Sequence, residues 1–128
     1  MSEVELLRRY YEGIVAADFP HAGEIADDEQ RVKAVTVRGC HGNSKNQLFF
    51  SMSIEDGCVR ALTYDCQYCD VTMYVTAEAI CELLEGQPVE TLANIGDEDI
   101  ARVLGGEVRK VKRQSRITLE LMREGLSA

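Results

Sequence analysis

Residues 47–69 decide the fold, and they read QLFFSMSIEDGCVRALTYDCQYC. Apolar side chains occupy every second position from Leu48 to Ile54, which is typical of a strand with one buried face. Asp56-Gly57 is a strong signal for a two-residue hairpin turn, so a second strand should begin directly after it. The segment therefore predicts an antiparallel hairpin.

The tight turn also predicts the register of this hairpin. If only the two turn residues separate the strands, Ile54 lies opposite Val59 and Met52 lies opposite Ala61. Val59, Ala61 and Thr63 would then share the buried face of the second strand.

Elements on both sides of the hairpin complete an α+β pattern. Apolar residues at three- and four-residue steps predict a first helix that ends before Phe19-Pro20, and residues 32–38 are rich in Val and Thr, as strands are. After Asp70 the helical period returns. We expect a small three-stranded antiparallel sheet with helices packed on one face, in a single domain over residues 1–128. The later helices are predicted to run from Asp70 to Gly86, over 88–92, over 97–104 with Asp97 as its cap, and over about 117–125.

Composition excludes several classes of function. The chain has 128 residues, of which 45% are hydrophobic, and a formal charge of -8, which disfavours a nucleic acid or an anionic membrane as its partner. No apolar run approaches the roughly 20 residues that span a bilayer, and the first residues lack the order of a signal peptide. We therefore expect a cytoplasmic protein, and the oligomeric state stays open.

Five cysteines are the main chemical feature of the sequence, and a reducing compartment would keep them as thiols. Cys66 and Cys69 form a CxxC pair where the last strand meets the long helix, and the helix dipole favours thiolates there. Cys40 follows the first strand, whose end can lie beside the end of the third. Three converging thiolates suit zinc or an iron–sulfur cluster. The fourth ligand stays open between His41, Asp65, Asp70 and an exogenous group, whereas Cys58 and Cys81 are interpreted as small hydrophobic residues.

Several stretches occur in an order typical of one known family. The segment FPHAG at 19–23 is similar to the motif N-P-x-N-x-G, and the segment CHGN at 40–43 is similar to C-G-D. Cys69 lies 12 positions after Gly57 and 17 positions before Gly86, which is close to the usual spacing of the family's second ligand. Over residues 10–125 the chain thus resembles the U-type iron–sulfur cluster assembly scaffolds, which include IscU, SufU and the N-terminal domain of NifU.

This resemblance implies a function as well as a fold. Members of the scaffold family hold a transient cluster, receive sulfur from a cysteine desulfurase, and pass the cluster to apo-proteins. They do not act as enzymes with turnover. Transferred to this chain, the ligands of a [2Fe-2S] cluster or of Zn²⁺ would be Cys40, Cys66 and Cys69, with His41 as a further candidate metal ligand.

Two positions depart from the family pattern. Gln114 stands where the family has a third cysteine, and Asn43 is the nearest counterpart of the family aspartate. A neutral amide is a weak ligand for iron or zinc, so Cys66 would have to substitute. Two alternatives therefore stay open: a metal-free binding or regulatory module that retains the fold, and a sulfur-acceptor or thiol protein that uses Cys66 and Cys69.

Other polar residues are interpreted as structural. His21 is expected to be an exposed loop residue, and the acidic run Asp97 to Asp99 should be the first turn of a helix. Five basic residues gather beside the last helix and are expected to form a solvated face, although they could also meet an acidic partner. They are Arg109, Lys110, Lys112, Arg113 and Arg116.

Overall fold

The computed structural model describes residues 1–25, 31–37 and 46–127. Antiparallel strands carry packed helices, as predicted for the α+β class. The first helix ends before Phe19, and the long helix begins directly after Asp70, both as predicted. The elements are α1 (Glu3–Ala16), β1 (Arg31–Val37), β2 (Asn46–Glu55), β3 (Cys58–Gln67), α2 (Val71–Leu84), α3 (Thr91–Asn94), α4 (Asp97–Leu104) and α5 (Arg109–Ser127).

The hairpin of β2 and β3 is the centre of the sheet, in which the strand order is β1-β2-β3 and both pairs are antiparallel. Asp56 and Gly57 form the predicted two-residue turn. Their φ angles are 54° and 77°, which is the left-handed backbone that a turn of this length requires and that glycine adopts most easily.

The register prediction is half right. Ile54 lies opposite Val59 as predicted, but Met52 lies opposite Leu62, because a bulge follows the first pairs of the hairpin. The extra residue on β3 shifts every later side chain to the other face. The buried residues of β3 are consequently Val59, Leu62 and Tyr64, and Ala61 is exposed, contrary to the prediction.

Helix α2 forms the middle of the helical layer. It packs against β3, α1, α4 and α5, and nine of its 14 residues are buried. The carboxylate of Asp70 caps its first turn by accepting a hydrogen bond from the Met73 amide at 2.9 Å. The junction between β3 and α2 is therefore fixed by a cap on one side and by the sheet on the other.

The later helices differ from the sequence-based bounds. Residue 88 pairs with Cys58 at the end of the hairpin, so the short helix begins only at Thr91. Gly96, not Asp97, is the cap of α4, and its amide donates to the Asp99 carboxylate at 2.9 Å. The acidic run forms the first turn of α4, as predicted. Helix α5 is longer than predicted, because it begins at Arg109 and packs along β1.

Candidate functional site

The predicted CxxC pair lies at the junction of β3 and α2. Cys66 belongs to the end of β3, Cys69 lies two residues before α2, and their Cα atoms are 5.6 Å apart. The two sulfurs are joined as a disulfide, so the expectation of reduced thiols differs from the structure at this pair. The spacing of three residues across a turn is what allows both sulfurs to meet.

The surroundings of the pair are asymmetric. Cys66 and Cys69 are half-buried against the hydrophobic core, and the Sγ of Cys69 lies 3.5 Å from the carbonyl oxygen of Gln47 on β2. Between them, Tyr68 is 72% exposed and has a φ of 58°, a left-handed backbone that is costly for an aromatic residue. The pair is thus anchored on its inner side and accessible at its tip.

The other predicted ligands either lie outside the described residues or form hydrogen bonds with the backbone. Cys40 and His41 lie outside the described residues. Asp65 accepts a hydrogen bond from the Ile25 amide at 3.3 Å, and Asp70 caps α2. Within the described ranges, no three His, Cys, Asp or Glu side chains form a group that could hold a metal ion. The described part of the chain therefore brings two cysteine sulfurs together and contains no complete metal site.

Gln114 occupies the position where the family resemblance expects a cysteine. It lies on α5, and its side-chain nitrogen is buried without a hydrogen-bond partner among the described residues. A buried amide in this state is a neutral polar group, not an anionic ligand. The residues present accordingly do not fit the family's usual set of three thiolates.

The remaining two cysteines have structural surroundings. Cys81 is fully buried on α2, and its pKa is raised well above the ordinary value by burial first and by the nearby Glu78 second. Cys58 is half-buried at the start of β3. A thiol such as Cys81 stays protonated and unreactive at neutral pH, in agreement with its interpretation as a small hydrophobic residue.

A polar cluster that the sequence analysis missed lies near the CxxC pair. The Nδ1 of His21 is hydrogen-bonded to the buried carboxylate of Glu78 on α2, and the Nε2 of His21 lies 3.2 Å from the carboxylate of Glu85. The Tyr64 hydroxyl donates to the other oxygen of Glu78 at 3.3 Å. His21 is only 16% exposed, so its interpretation as an exposed loop residue is wrong, because two carboxylates draw it against α2.

Electrostatics favour the charged form of His21. Burial is the largest single influence and lowers its pKa, but hydrogen bonds and attraction from Glu78, followed by Glu85, together outweigh burial, so the pKa of His21 is raised above 6.5. Burial and the neighbouring Glu78 also raise the pKa of Tyr64, which keeps this hydroxyl a donor. The two carboxylates therefore shift the His21 equilibrium towards the protonated ring.

The cluster fixes the segment that follows α1. The Tyr64 amide donates to the carbonyl of His21 at 2.8 Å, and the Gly23 amide donates to the carbonyl of Tyr64 at 2.9 Å. Farther along, Ile25 reaches Asp65, the residue before Cys66. Residues 21–25 therefore run along β3 towards the CxxC pair. A glutamate between two alanines of an apolar helix, at position 78, is the sequence signal that could have pointed to this cluster.

The basic residues beside α5 are only partly paired. Arg109 binds Glu3, Lys112 binds Glu107 at 3.1 Å, and Arg116 binds Asp97. Neither Lys110 nor Arg113 pairs with a carboxylate within the part of the chain that the structure describes. The expected solvated face is thus a row of ion pairs that includes two cations, Lys110 and Arg113, without a partner among the described residues.

The comparisons with known proteins rest on structure. No model of a protein family matches the sequence, and no curated protein matches it. Among solved structures, the chain is similar to the N-terminal part of a nitrogen-fixing NifU-like protein from Brucella abortus, with a TM-score of 0.54 and 12% identity. The match covers 97% of this chain and 84% of that one. The chain thus has a NifU-like fold, in the class that the resemblance predicted.

A membrane-crossing helix is absent from residues 1–25, 31–37 and 46–127, where every helix is too short or too polar for that purpose.

Proposed function

We propose that the protein is a scaffold-like protein that holds a [2Fe-2S] cluster or a zinc ion transiently and passes it to acceptor proteins. Cys66, Cys69 and Cys40 would be the ligands, with His41 as the candidate fourth. The observation that carries the proposal is a NifU-like fold over nearly the whole chain with a cysteine pair at the junction of β3 and α2. The cluster or ion is cargo, the sulfur donor is a cysteine desulfurase, the acceptors are apo-proteins, and the protein acts in the cytoplasm without being an enzyme.

The position of the pair supports thiolate ligands. Once the disulfide is reduced, both sulfurs lie within a few residues of the start of α2, where unpaired amides and the helix dipole stabilise a negative charge. Two cysteines three residues apart can bind one tetrahedral ion together. The half-buried inner side of the pair limits access of water, and the exposed tip at Tyr68 leaves a path for an incoming ion or cluster.

The ligand set of this proposal differs from that of the family. Gln114 contributes an amide where a thiolate is expected, and an amide binds iron and zinc weakly. Cys66 would replace the missing sulfur from the same segment as Cys69. Two ligands from one turn and one from a distant position in the sequence give a ligand spacing closer to a zinc knuckle than to an open site at the sheet edge, so we expect weak and exchangeable binding.

Anaerobic reconstitution with iron and sulfide tests the proposal. After reduction, the wild-type protein should acquire the visible absorbance of an iron–sulfur cluster, and Cys69→Ala should lose it. Cys58→Ala is the matched control, because Cys58 lies at the other end of β3 and should leave the absorbance unchanged. A wild-type protein that stays colourless and binds neither iron nor zinc would contradict the proposal and favour a metal-free binding module.

A second candidate function is favoured by the disulfide itself. In a sulfur acceptor, the Cys69 thiolate would attack the outer sulfur of a persulfide on a donor protein. The donor's S–S bond breaks, the donor leaves as a thiolate, and Cys69 carries the persulfide. The Cys66 thiolate would then attack the Cys69 sulfur and release hydrosulfide, which leaves the Cys66–Cys69 disulfide. That product is the pairing that the structure contains, and a dithiol reductant would regenerate the starting state.

Alkylation rates test this second candidate. After reduction, Cys66 or Cys69 should react rapidly with iodoacetamide, with a pH dependence near neutrality, and Cys81 should stay unmodified in the folded protein because it is fully buried. Mass spectrometry of digested samples reports each cysteine separately. Slow labelling of both Cys66 and Cys69 would exclude the sulfur-acceptor role and leave the scaffold role to the reconstitution experiment.

A further inference from the structure

A groove of about 350 Å³ lies between the first turns of α1 and the first turns of α5. Both α1 and α5 pack against α2. Their outer surfaces form the two sides of the groove. The apolar part of its lining consists of Val4, Leu7 and Val108. Val4 is 65% exposed at the edge of this groove.

One ion pair braces the groove. The carboxylate of Glu3 on α1 accepts hydrogen bonds from the backbone amide and from the side-chain Nε of Arg109, the latter at 3.2 Å. This pair links the N-termini of α1 and α5, which are 106 positions apart in the sequence. The two opposite charges of this exposed pair offset each other, so the net charge of the lining comes from other residues.

The remaining charge is positive. Lys110 and Arg113 line the groove, are exposed, and lack a carboxylate partner among the residues in the described ranges. They are three residues apart on α5 and therefore lie on one face of the helix, and Ile117, which is 46% exposed, continues that face. On a chain with a formal charge of -8, this is a local reversal of sign beside the exposed Val4 and the half-buried Leu7.

We propose that this groove is a docking surface for an acidic amphipathic helical segment of a partner protein. Apolar side chains of the segment would cover Val4 and Leu7 next to the buried Val108, and its carboxylates would meet Lys110 and Arg113. A groove flanked by two helices suits a third helix, which presents anchors at three- and four-residue steps. Opposite charges at the rim speed up encounter and reject basic partners.

Charge decides between this occupant and two others. A second copy of the chain would bring the same two cations against each other, and like charges across an interface are unfavourable. An anionic membrane would attract Lys110 and Arg113 but repel the acidic remainder of the protein. A short acidic peptide contacts only the groove and avoids both costs. The surface does not involve Cys66 or Cys69, so it is independent of the proposed function.

Fluorescence anisotropy with a matched pair of designed peptides tests the proposal. Both probes are fluorescein-labelled amphipathic helices with Leu anchors, and they differ only in carrying Glu or Lys on the polar face. We expect the Glu peptide to bind the full-length protein at least about tenfold more tightly than the Lys peptide, with affinity that falls as salt is added. The double variant Lys110→Glu/Arg113→Glu should reverse the preference, and Val4→Ser should weaken binding of the Glu peptide.

Controls make the outcome specific. Arg60→Glu makes the same change of charge at an exposed position of β3, away from the groove, and should leave peptide binding unchanged. Cys66→Ser/Cys69→Ser should also leave peptide binding unchanged, even if cluster binding is lost. Equal binding of both peptides, binding that survives the double variant, or no binding of the Glu peptide would overturn the proposal. Sedimentation that shows a dimer lost in Val4→Ser, or binding to vesicles of anionic lipid in place of the peptide, would assign the groove to another occupant and overturn it as well.

Discussion

The polar cluster around Glu78 and the CxxC turn share strand β3, to which they contribute Tyr64 and Cys66, but they differ in burial and in the range of their contacts. The cluster around Glu78 joins His21, Tyr64 and α2, is largely buried, and depends on contacts between residues as far as 57 positions apart. The CxxC turn involves one short segment, is half-buried, and has an exposed tip at Tyr68. Buried long-range contacts stabilise the fold, whereas a local pair can change its chemical state while the fold persists.

The two regions are connected through one strand. Tyr64 contributes its hydroxyl to the cluster, and Asp65, the next residue, holds Ile25 beside the CxxC pair. We therefore expect the cluster to keep β3 and the segment 21–25 in place when the disulfide is reduced.

Removal of the Glu78 carboxylate should have the largest effect. Glu78→Ala leaves His21 without its main partner and Tyr64 with a buried unpaired hydroxyl, so we expect a loss of about 3 kcal/mol in the free energy of unfolding. Urea denaturation at neutral pH measures it. Glu120→Ala, which removes an exposed carboxylate from α5, is the control and should change stability by less than about 0.5 kcal/mol. A similar small effect of both variants would contradict the assignment of the cluster as the stabilising region.

Reduction of the disulfide should have a smaller effect. A loop this short removes little entropy from the unfolded chain, so dithiothreitol should lower the free energy of unfolding by about 2 kcal/mol at most. Cys66→Ser/Cys69→Ser, measured with reductant, should unfold at nearly the same urea concentration as the reduced wild type. If reduction unfolded the protein, the CxxC turn would belong to the stabilising region and the comparison would fail.

The charge of His21 should make stability depend on pH. Because its folded pKa is raised above 6.5, the stabilisation is fully present below about pH 6.5 and is lost as the pH rises through the folded pKa. We expect the free energy of unfolding of the wild type to fall as the pH rises above 6.5 and that of His21→Gln to change little. Urea denaturation across the range, with an NMR titration of the His21 ring, checks both statements. A folded pKa below 6.5 would reverse the sign of the pH dependence and contradict the stabilisation of charged His21 by Glu78 and Glu85.

Relief of backbone strain at the tip of the turn should have the smallest effect. Tyr68→Gly removes an exposed ring from a left-handed backbone, and glycine adopts this conformation without steric cost, so the oxidised protein should gain about 0.5 kcal/mol. Thermal unfolding under oxidising conditions measures the change. A loss of stability would mean that the Tyr68 ring contributes packing that its 72% exposure does not indicate.

Local features of this fold could be predicted from the sequence, and long-range ones could not. Asp56-Gly57 and the period after Asp70 determine the hairpin and the long helix, because these signals act within a few residues. The bulge that moves Leu62 into the core depends on packing of the whole sheet, so the alternation of residues alone gave the wrong face. His21 and Glu78 meet only in the folded chain.

The candidate site follows the same division. The spacing of Cys66 and Cys69 predicts their proximity, because two cysteines three positions apart across a turn lie close together. The spacing of two cysteines does not determine whether they are oxidised, so it could not predict the disulfide in place of the expected thiols. The predicted approach of Cys40 and His41 concerns residues outside the described ranges and stays a prediction. The predicted replacement of a family cysteine by Gln114 stays a prediction, and the structure adds that the side-chain nitrogen of Gln114 is buried without a partner among the described residues.

Metal analysis of protein purified without oxygen tests the central claim most directly. Native mass spectrometry of the reduced wild type, beside Cys66→Ser/Cys69→Ser and the control Cys58→Ser, reports mass and stoichiometry in one experiment. The account predicts iron with sulfide, or zinc, on the wild type and on Cys58→Ser, and none on the double variant. Metal-free wild type, or equal metal on all three proteins, would contradict the claim that the CxxC pair holds the cargo.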